Sequence, residues 1–363
     1  PYNNQYANAQ LQMMQQREKE QKRQKGLNTA ALIVTIGAGI AIIGSFISPR
    51  GARGAKDAAE AINKVDIVWK DMKNAKNKVA PLDSPTTNRS LQEEFKKLID
   101  NSNLSQKAKD WSGYKDSSEL IFLYGYGGTG KTYVAEQYAQ EIGAIFTKIK
   151  YPDLGSIYKD AASIRVNNLF KEVTEFANKN PDRQIVLCLD EVDALIRKVD
   201  ESSHGKEEAS KVRAAVLTGI DELKQNTKNV RVVMTSNYHP ESGVIDDVIK
   251  RRLNKNIEVK LPDAPQMKAL FEMYLKDIKA ISPEFYNSAE FKSFIDSMVK
   301  DGYSSGEVDV IAHEASSIFS SKLKGVPDDQ IEKYKFSMEY LKKAKELKGQ
   351  AASKTNDTMK RGK

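Results

Sequence analysis

Residues 124–132 read YGYGGTGKT, and they close a short apolar run, LIFLY, at 120–124. Four glycines fall within the six positions from Gly125 to Gly130. Glycine has no Cβ and takes up left-handed backbone angles freely, so a segment this rich in it can turn successive N–H groups inward around a small anion. The spacing G-x-x-x-x-G-K-T from Gly125 to Thr132 is that of a phosphate-binding loop, and the helical pattern after it, KTYVAEQYAQEIG, would aim its N-terminus at the same anion. Gly125, Tyr126, Gly127, Gly128, Thr129 and Gly130 are expected to form the backbone cradle of a nucleotide. Lys131 would meet the β- and γ-phosphates, and the Thr132 hydroxyl would ligate Mg²⁺.

Working outward, a second strand, IVLCLDEVDAL at 185–195, is a continuous apolar run of the kind buried on both faces of a parallel sheet, and it ends in acids. A carboxylate at the tip of a neighbouring strand is where Mg²⁺ needs a ligand, so Asp190 is assigned to the metal, directly or through water. Glu191, one residue on, can polarise an attacking water. A third strand, VRVVMTSN at 230–237, ends in an amide, Asn237, which could hold that water beside the terminal phosphate. Arg251 and Arg252, in KRRLNKNIEVKLPD at 250–263, are either solvated charge or planar cations inserted into a neighbouring subunit's site. Strands alternating with helical patterns predict an α/β fold with a parallel sheet over 119–262, followed by helical periodicity from Ala264 that reads as a small helical domain over 263–325.

The flanks differ in kind. Residues 1–25 form a polar, then basic, tail with too little apolar surface to offset the entropy of ordering. Residues 26–49, GLNTAALIVTIGAGIAIIGSFISP, carry no charged side chain, and about 20 apolar residues at about 1.5 Å each span a hydrocarbon layer of about 30 Å. They are read as a single membrane-spanning helix, the alternative being a buried core helix. Five Lys/Arg precede the span within residues 1–26 and five follow within 49–70, so charge does not set its orientation. Residues 50–118 read as a helical linker in which Ser90 and Glu93 form a capping box, and 326–363 as a basic, solvated C-terminal helix and tail. The first 60 residues carry +4 and the last 33 carry +6 against +8 for the whole chain. The middle is therefore slightly acidic, and the basic balance argues weakly for a nucleic-acid groove. The single cysteine, Cys188, excludes a disulfide framework or a cysteine zinc site, and the three histidines form no ligand-spaced pair.

These motifs, in this order, resemble the AAA ATPases, especially the branch of membrane-anchored extractases, microtubule-severing enzymes and membrane-remodelling disassemblases. The likeness runs over about residues 119–323 and includes the loop, the DEVD after the second strand, Asn237, the block from Asp247 to Asp263, and GYSSGEVDVIAHEA from Gly302, which looks like the family's lid helix. The resemblance implies a P-loop sheet with a helical lid, ATP and Mg²⁺ as ligands, and a homo-oligomeric, hexameric ring in which Arg251 and Arg252 act in trans. It also implies a protein substrate gripped at a central pore, where Tyr158 stands at the aromatic position followed by Lys159 and Asp160 instead of an aliphatic and a glycine; an ordinary exposed tyrosine is the alternative. Tyr126-Gly127 replaces the usual pair of prolines, Leu253 a phenylalanine, and SNYHP the usual Asn-Arg-Pro. No adenine-contact motif stands before Gly125. The layout is closest to the single-span extractases of mitochondrial and peroxisomal membranes. The expected protein is thus a membrane-anchored, single-pass ATPase whose catalytic domain lies on an ATP-containing side: cytosol, bacterial cytoplasm or mitochondrial matrix. The rival is a nucleic-acid-associated ATPase of the initiator or loader type that uses its basic tails.

Overall fold

The strands that the sequence marks as apolar runs are buried along almost their whole length, and they set the frame in which everything else is placed. The computed structural model describes residues 65–75, 79–102, 104–113, 120–154, 161–197, 206–253 and 255–361. The tail at 1–25, the apolar stretch at 26–49 and Tyr158 lie outside the described residues. Among those described, no helix is long and apolar enough to cross a membrane.

The described chain falls into two compact units. The larger contains β1 (Lys70–Asp71), α1 (Arg89–Ser102), α2 (Gln106–Ser112), β2 (Leu120–Tyr124), α3 (Lys131–Glu141) and β3 (Ile145–Lys150, its last residue at the boundary). The smaller contains α4 (Tyr151–Leu154), α5 (Ala161–Lys179) and, after β4 (Ile185–Asp190) and α6 (Asp193–Ile196) of the larger unit, α7 (Lys206–Asn226). Within the smaller unit α5 and α7 approach so closely at Gly219 that an added Cβ would lie 2.2 Å from the Phe170 ring, which explains a glycine in mid-helix. The larger unit resumes with β5 (Val230–Ser236), α8 (Asp247–Lys250), β6 (Lys255–Glu258), α9 (Ala264–Tyr274), α10 (Ala289–Lys300), α11 (Ser305–Lys322) and α12 (Met338–Arg361).

Six strands form one sheet in the order β1-β3-β4-β5-β2-β6. The pairs β4–β5, β5–β2 and β2–β6 run parallel, and the two-residue β1 pairs antiparallel with β3. The α/β expectation holds, with one antiparallel edge added. Register then does functional work: Tyr124 sits opposite Ser236 and Leu189 opposite Met234, so the ends of β2, β4 and β5 come out side by side. Brought together at one edge of the sheet are Gly125, Asp190 and Asn237, which is where ligands bind in open parallel sheets.

Behind this edge Ile121, Leu123, Val186, Cys188 and Val233 pack with Phe95 of α1 and Tyr138 of α3 in one buried cluster. Phe95 and Tyr138 rings lie 5.1 Å apart. The same cluster includes Met72, Leu82, Leu91 and Leu98. The stretch expected to be a helical linker therefore contributes, over its described part, a strand, a strap at 79–88 and a helix to the core packed on the sheet. The reason is its apolar spacing, which a solvated spacer would not need. Nor is the expected capping box formed. Asn88 caps α1 instead, its side-chain oxygen accepting from Ser90 N at 2.9 Å, because α1 begins two residues earlier than the Ser90 reading requires.

From Asp263 onward the chain builds a second, aromatic core. Phe271, Phe285, Phe291, Phe294 and Phe319 are buried together, with ring centroids 5.5–6.0 Å apart in edge or tilted contacts. Phe336, Met338, Leu341 and Ala344 belong to the same cluster, so the helical domain does not stop near 325 but takes in the first half of α12. Three of its helices start on polar caps: Asp263 with Gln266 at α9, Ser288 at α10, and Ser304 with Glu307 at α11.

Candidate functional site

The glycine-rich segment leaves β2 at Gly125, whose N donates to Ser236 O at 3.2 Å, and enters α3 at Gly130. Gly125, Gly128 and Gly130 all have positive φ, at 146°, 77° and 92°. A side chain at Gly125 would also place its Cβ 2.2 Å from Val259 O, so the first glycine of the motif is required by a neighbouring backbone as well as by its own angles. The loop borders a cleft of about 690 Å³ that lies wholly within the larger unit.

At the phosphate end of this cleft the Lys131 ammonium donates to Gly125 O (2.9 Å), Tyr126 O (2.8 Å) and Asn237 Oδ1 (2.8 Å). Burial pushes its pKa down from the ordinary lysine value, and the charges of Asp193 and Asp190 pull the other way. The Thr132 hydroxyl donates to Asp190 Oδ1 at 2.7 Å. Loop, lysine, threonine, Asp190 and Asn237 thus converge at one place. Glu191 lines the same cleft and is the only non-glycine residue with positive φ, 58°, among those described. Its N donates to Thr235 Oγ1 at 3.0 Å.

Two residues that sequence reasoning passed over organise this constellation. Thr235 donates to Asp190 Oδ1 at 2.6 Å, fixing the carboxylate that faces Thr132. Asp193 accepts from Ser236 Oγ (2.6 Å), Asn237 N (2.9 Å) and Asn237 Nδ2 (2.7 Å). The amide's orientation is therefore set: both of its hydrogens' side is turned to Asp193 and its oxygen to Lys131. The signal was present in the last acid of DEVD, but only the register shows which strand tip it serves.

The other end of the cleft, where a nucleotide's base would lie, is lined from three separated segments. Thr86, Asn88 and Leu91 come from the strap and α1, Val259 follows β6, and Gln266 and Tyr274 come from α9. The strap is fastened along one face of α3. Tyr133 Oη accepts from Ala80 N (2.9 Å), Gln137 Nε2 donates to Ala80 O (2.9 Å) and Pro81 O (3.1 Å), Gln140 Nε2 donates to Val79 O (3.0 Å), and Glu141 accepts from Leu82 N (3.0 Å). Spacing of 0, 4, 7 and 8 puts these four side chains on one helical stripe. Asn88 Nδ2 then reaches Gln266 Oε1 at 3.2 Å, tying strap to lid. Burial pushes the Tyr274 hydroxyl up to about 12, with lesser contributions from Asp309 and Tyr133, so it is neutral in this wall.

The lid touches the loop directly. Gly306 N donates to Gly128 O at 2.8 Å, and a Cβ on Gly128 would come within 2.9 Å of Ser304 Oγ. Arg251 is exposed and Arg252 half-buried, donating Nη1 to Val248 O at 3.1 Å; neither lines the cleft. The structure does not bring them to their own subunit's site. No group of three or more His, Cys, Asp or Glu side chains that could cage a metal occurs among the described residues. Magnesium needs no such cage, since one carboxylate and a hydroxyl complete its octahedron with water and phosphate oxygens. Thr132 and Asp190 are such a pair.

Residues 121–261 match the family described as "ATPase family associated with various cellular activities (AAA)". The chain is similar to a 26S proteasome regulatory subunit homolog of Methanocaldococcus jannaschii, at 28% identity over 204 residues, 53% of this chain and 52% of that protein. It is also similar to ATP-dependent zinc metalloprotease FtsH 1 of Alkaliphilus metalliredigens (24% over 253 residues, 68% of this chain, 40% of that protein) and to Cell division protein C of Sulfolobus acidocaldarius (28% over 159 residues, 44% and 41%). The chain spans about half or less of the length of these curated relatives. Over residues 121–261, fewer than half of the chain, it is similar to AAA ATPase domains.

Proposed function

We propose that this AAA domain hydrolyses MgATP within a hexameric ring anchored to a membrane through residues 26–49, and that the ring unfolds, extracts or remodels proteins at that membrane. The observation that carries the catalytic part is the 2.7 Å contact of Thr132 Oγ1 with Asp190 Oδ1 beside a lysine ringed by loop carbonyls and Asn237. Thr132 and Asp190 would hold Mg²⁺, which neutralises charge on the β- and γ-phosphates. The loop amides and Lys131 bind the phosphates and hold them in line. Glu191 orients the attacking water and accepts its proton at the carboxylate, while Asn237, braced by Asp193, fixes the water's position. Arg251 and Arg252, on a surface segment away from their own cleft, are suited to a neighbour's site, where fixed cations stabilise the transferring phosphoryl group.

Support for protein as substrate comes from the relatives, whose names include a proteasome regulatory subunit and an ATP-dependent protease. Residues 1–363 hold no H-E-x-x-H string. Tyr158 remains the candidate pore contact. The nucleic-acid reading loses weight because Lys342, Lys345 and Lys348, three of the tail's cations, are paired with lid acids.

Glu191→Gln tests the chemistry: calorimetry should show MgATP uptake like that of the parent, with turnover reduced more than about 100-fold. Undiminished turnover would remove Glu191 as the base, and no nucleotide uptake by the parent would remove the reading itself. Alkaline washing of membranes should leave the full chain in the pellet; release into the supernatant rules out the anchor. In mixed rings, Arg252→Ala subunits should depress activity more than in proportion to their share, whereas strict proportionality would mean that the arginine acts only at home.

A further inference from the structure

The basic C-terminal helix is not a solvated face but is bolted to the lid by its lysines. Its apolar side, Phe336, Met338, Leu341 and Ala344, is buried in the aromatic core. Beyond that side three lysines at successive turns meet three acids: Lys342 with Glu290, Lys345 with Asp301 at 2.9 Å and Ser297 Oγ at 3.1 Å, and Lys348 with Glu307. The three pairs differ in setting. Lys342 and Glu290 are both more than half exposed, which makes their pair weak. Lys348 retains 23% exposure and lies over the Tyr303 ring, 5.1 Å from its centroid, where its stem and charge are both engaged.

Glu307 makes the third pair consequential. One of its oxygens receives Lys348; the other accepts from Ser304 N at 2.8 Å and Ser304 Oγ at 3.0 Å, forming the cap of α11. That cap is the part of the lid that touches the phosphate loop, through Gly306 N to Gly128 O and through Ser304 Oγ packed against Gly128. Polar contacts therefore run from Lys348 through Glu307 to Ser304, and the backbone of the same turn, at Gly306 N, meets the loop. Burial works to raise the Glu307 carboxyl, and the hydrogen bonds from Lys348 and Ser304 outweigh it, leaving it ionised and able to serve both partners at neutral pH.

We propose that Lys348 is a positioning residue for nucleotide binding: docked on Glu307, it holds the Ser304–Gly306 turn against Gly128, so the seating of the C-terminal helix sets the fraction of molecules whose phosphate loop is closed over by the lid. A binding-competent fraction below one weakens apparent affinity by that fraction. The inference rests on the nucleotide-site reading above, and the experiment separates the two.

The test compares Lys348→Met, which keeps the stem over Tyr303 and removes the charge, with Lys348→Arg and with Lys342→Met, using ADP titration and thermal melting of the full chain. Lys348→Met is expected to weaken ADP binding about three- to tenfold, a part of the worth of one charge-assisted hydrogen bond because the contact acts on the loop only through the cap, while Lys348→Arg restores at least half of that loss. Lys342→Met breaks a pair on the same helix that leads nowhere near the loop, and it should leave ADP affinity unchanged. Combining Lys348→Met with Glu307→Gln should weaken binding by less than the product of the single effects, since both cut one chain of contacts. Unchanged affinity in Lys348→Met, or an equal loss in Lys342→Met, would overturn the proposal while leaving the nucleotide site standing. No ADP binding by the parent would overturn both.

Discussion

The two ends of the nucleotide cleft are built on opposite plans. Its phosphate end comes from one uninterrupted stretch, 125–132, plus the tips of two adjacent strands, and much of its chemistry belongs to the backbone. Its base end is put together from side chains of the strap, α1, the residue after β6 and α9, parts that are 178 residues apart in the chain at the Asn88–Gln266 contact. A backbone site needs a fixed local sequence, because only certain residues permit the angles. A side-chain site needs only that something of suitable shape arrives from somewhere, and many sequences can supply it.

The contrast can be broken most forcefully at Gly125. Gly125→Ala combines φ of 146° with a Cβ 2.2 Å from Val259 O, so it should cost roughly 3 kcal/mol or more of stability and abolish nucleotide binding. A melting curve and a titration with MgATP check both; a variant that melts and binds like the parent would show that the loop tolerates an ordinary residue. Lys131→Met comes next. Loss of the central cation should weaken ATP and inorganic triphosphate alike, by about 100-fold, because both present the same phosphates to it. Equal binding of triphosphate by parent and variant would separate the lysine from the phosphates.

Gln137→Met gives the smallest effect and the sharpest discrimination. Gln137 is fully buried, and its amide serves two strap carbonyls, Ala80 O and Pro81 O. Its removal should cost about 1–3 kcal/mol of stability and loosen the strap. ATP and ADP affinity should then fall by about the same factor, with triphosphate binding unaltered, as competition titrations would show. A parallel loss of triphosphate binding would mean that the two ends are not separable.

This difference in plan also decides what was legible in the sequence. Glycine spacing, the apolar runs and the acids at Asp190 and Glu191 are local signals, and the register of β2, β4 and β5 turns them into one site as expected. Asp193 and Thr235 were hidden because each acts across strands, where only pairing shows the partner. The strap was misread as linker: Tyr133, Gln137, Gln140 and Glu141 form a stripe that looks like the polar face of a surface helix until residues 79–82 are laid along it. Lys348 was read as part of a solvated basic face for the same reason, since its acid lies 41 positions away.

Glu191 carries a consequence of its own. At φ of 58° a side chain with a Cβ costs about 1 kcal/mol or more that glycine would not incur. A chain shaped only for durability would relax this corner, and Glu191→Gly should make a protein that outlasts its parent in heat while doing no work. On the function proposed above, the strain holds this carboxylate where water would meet the reacting phosphorus.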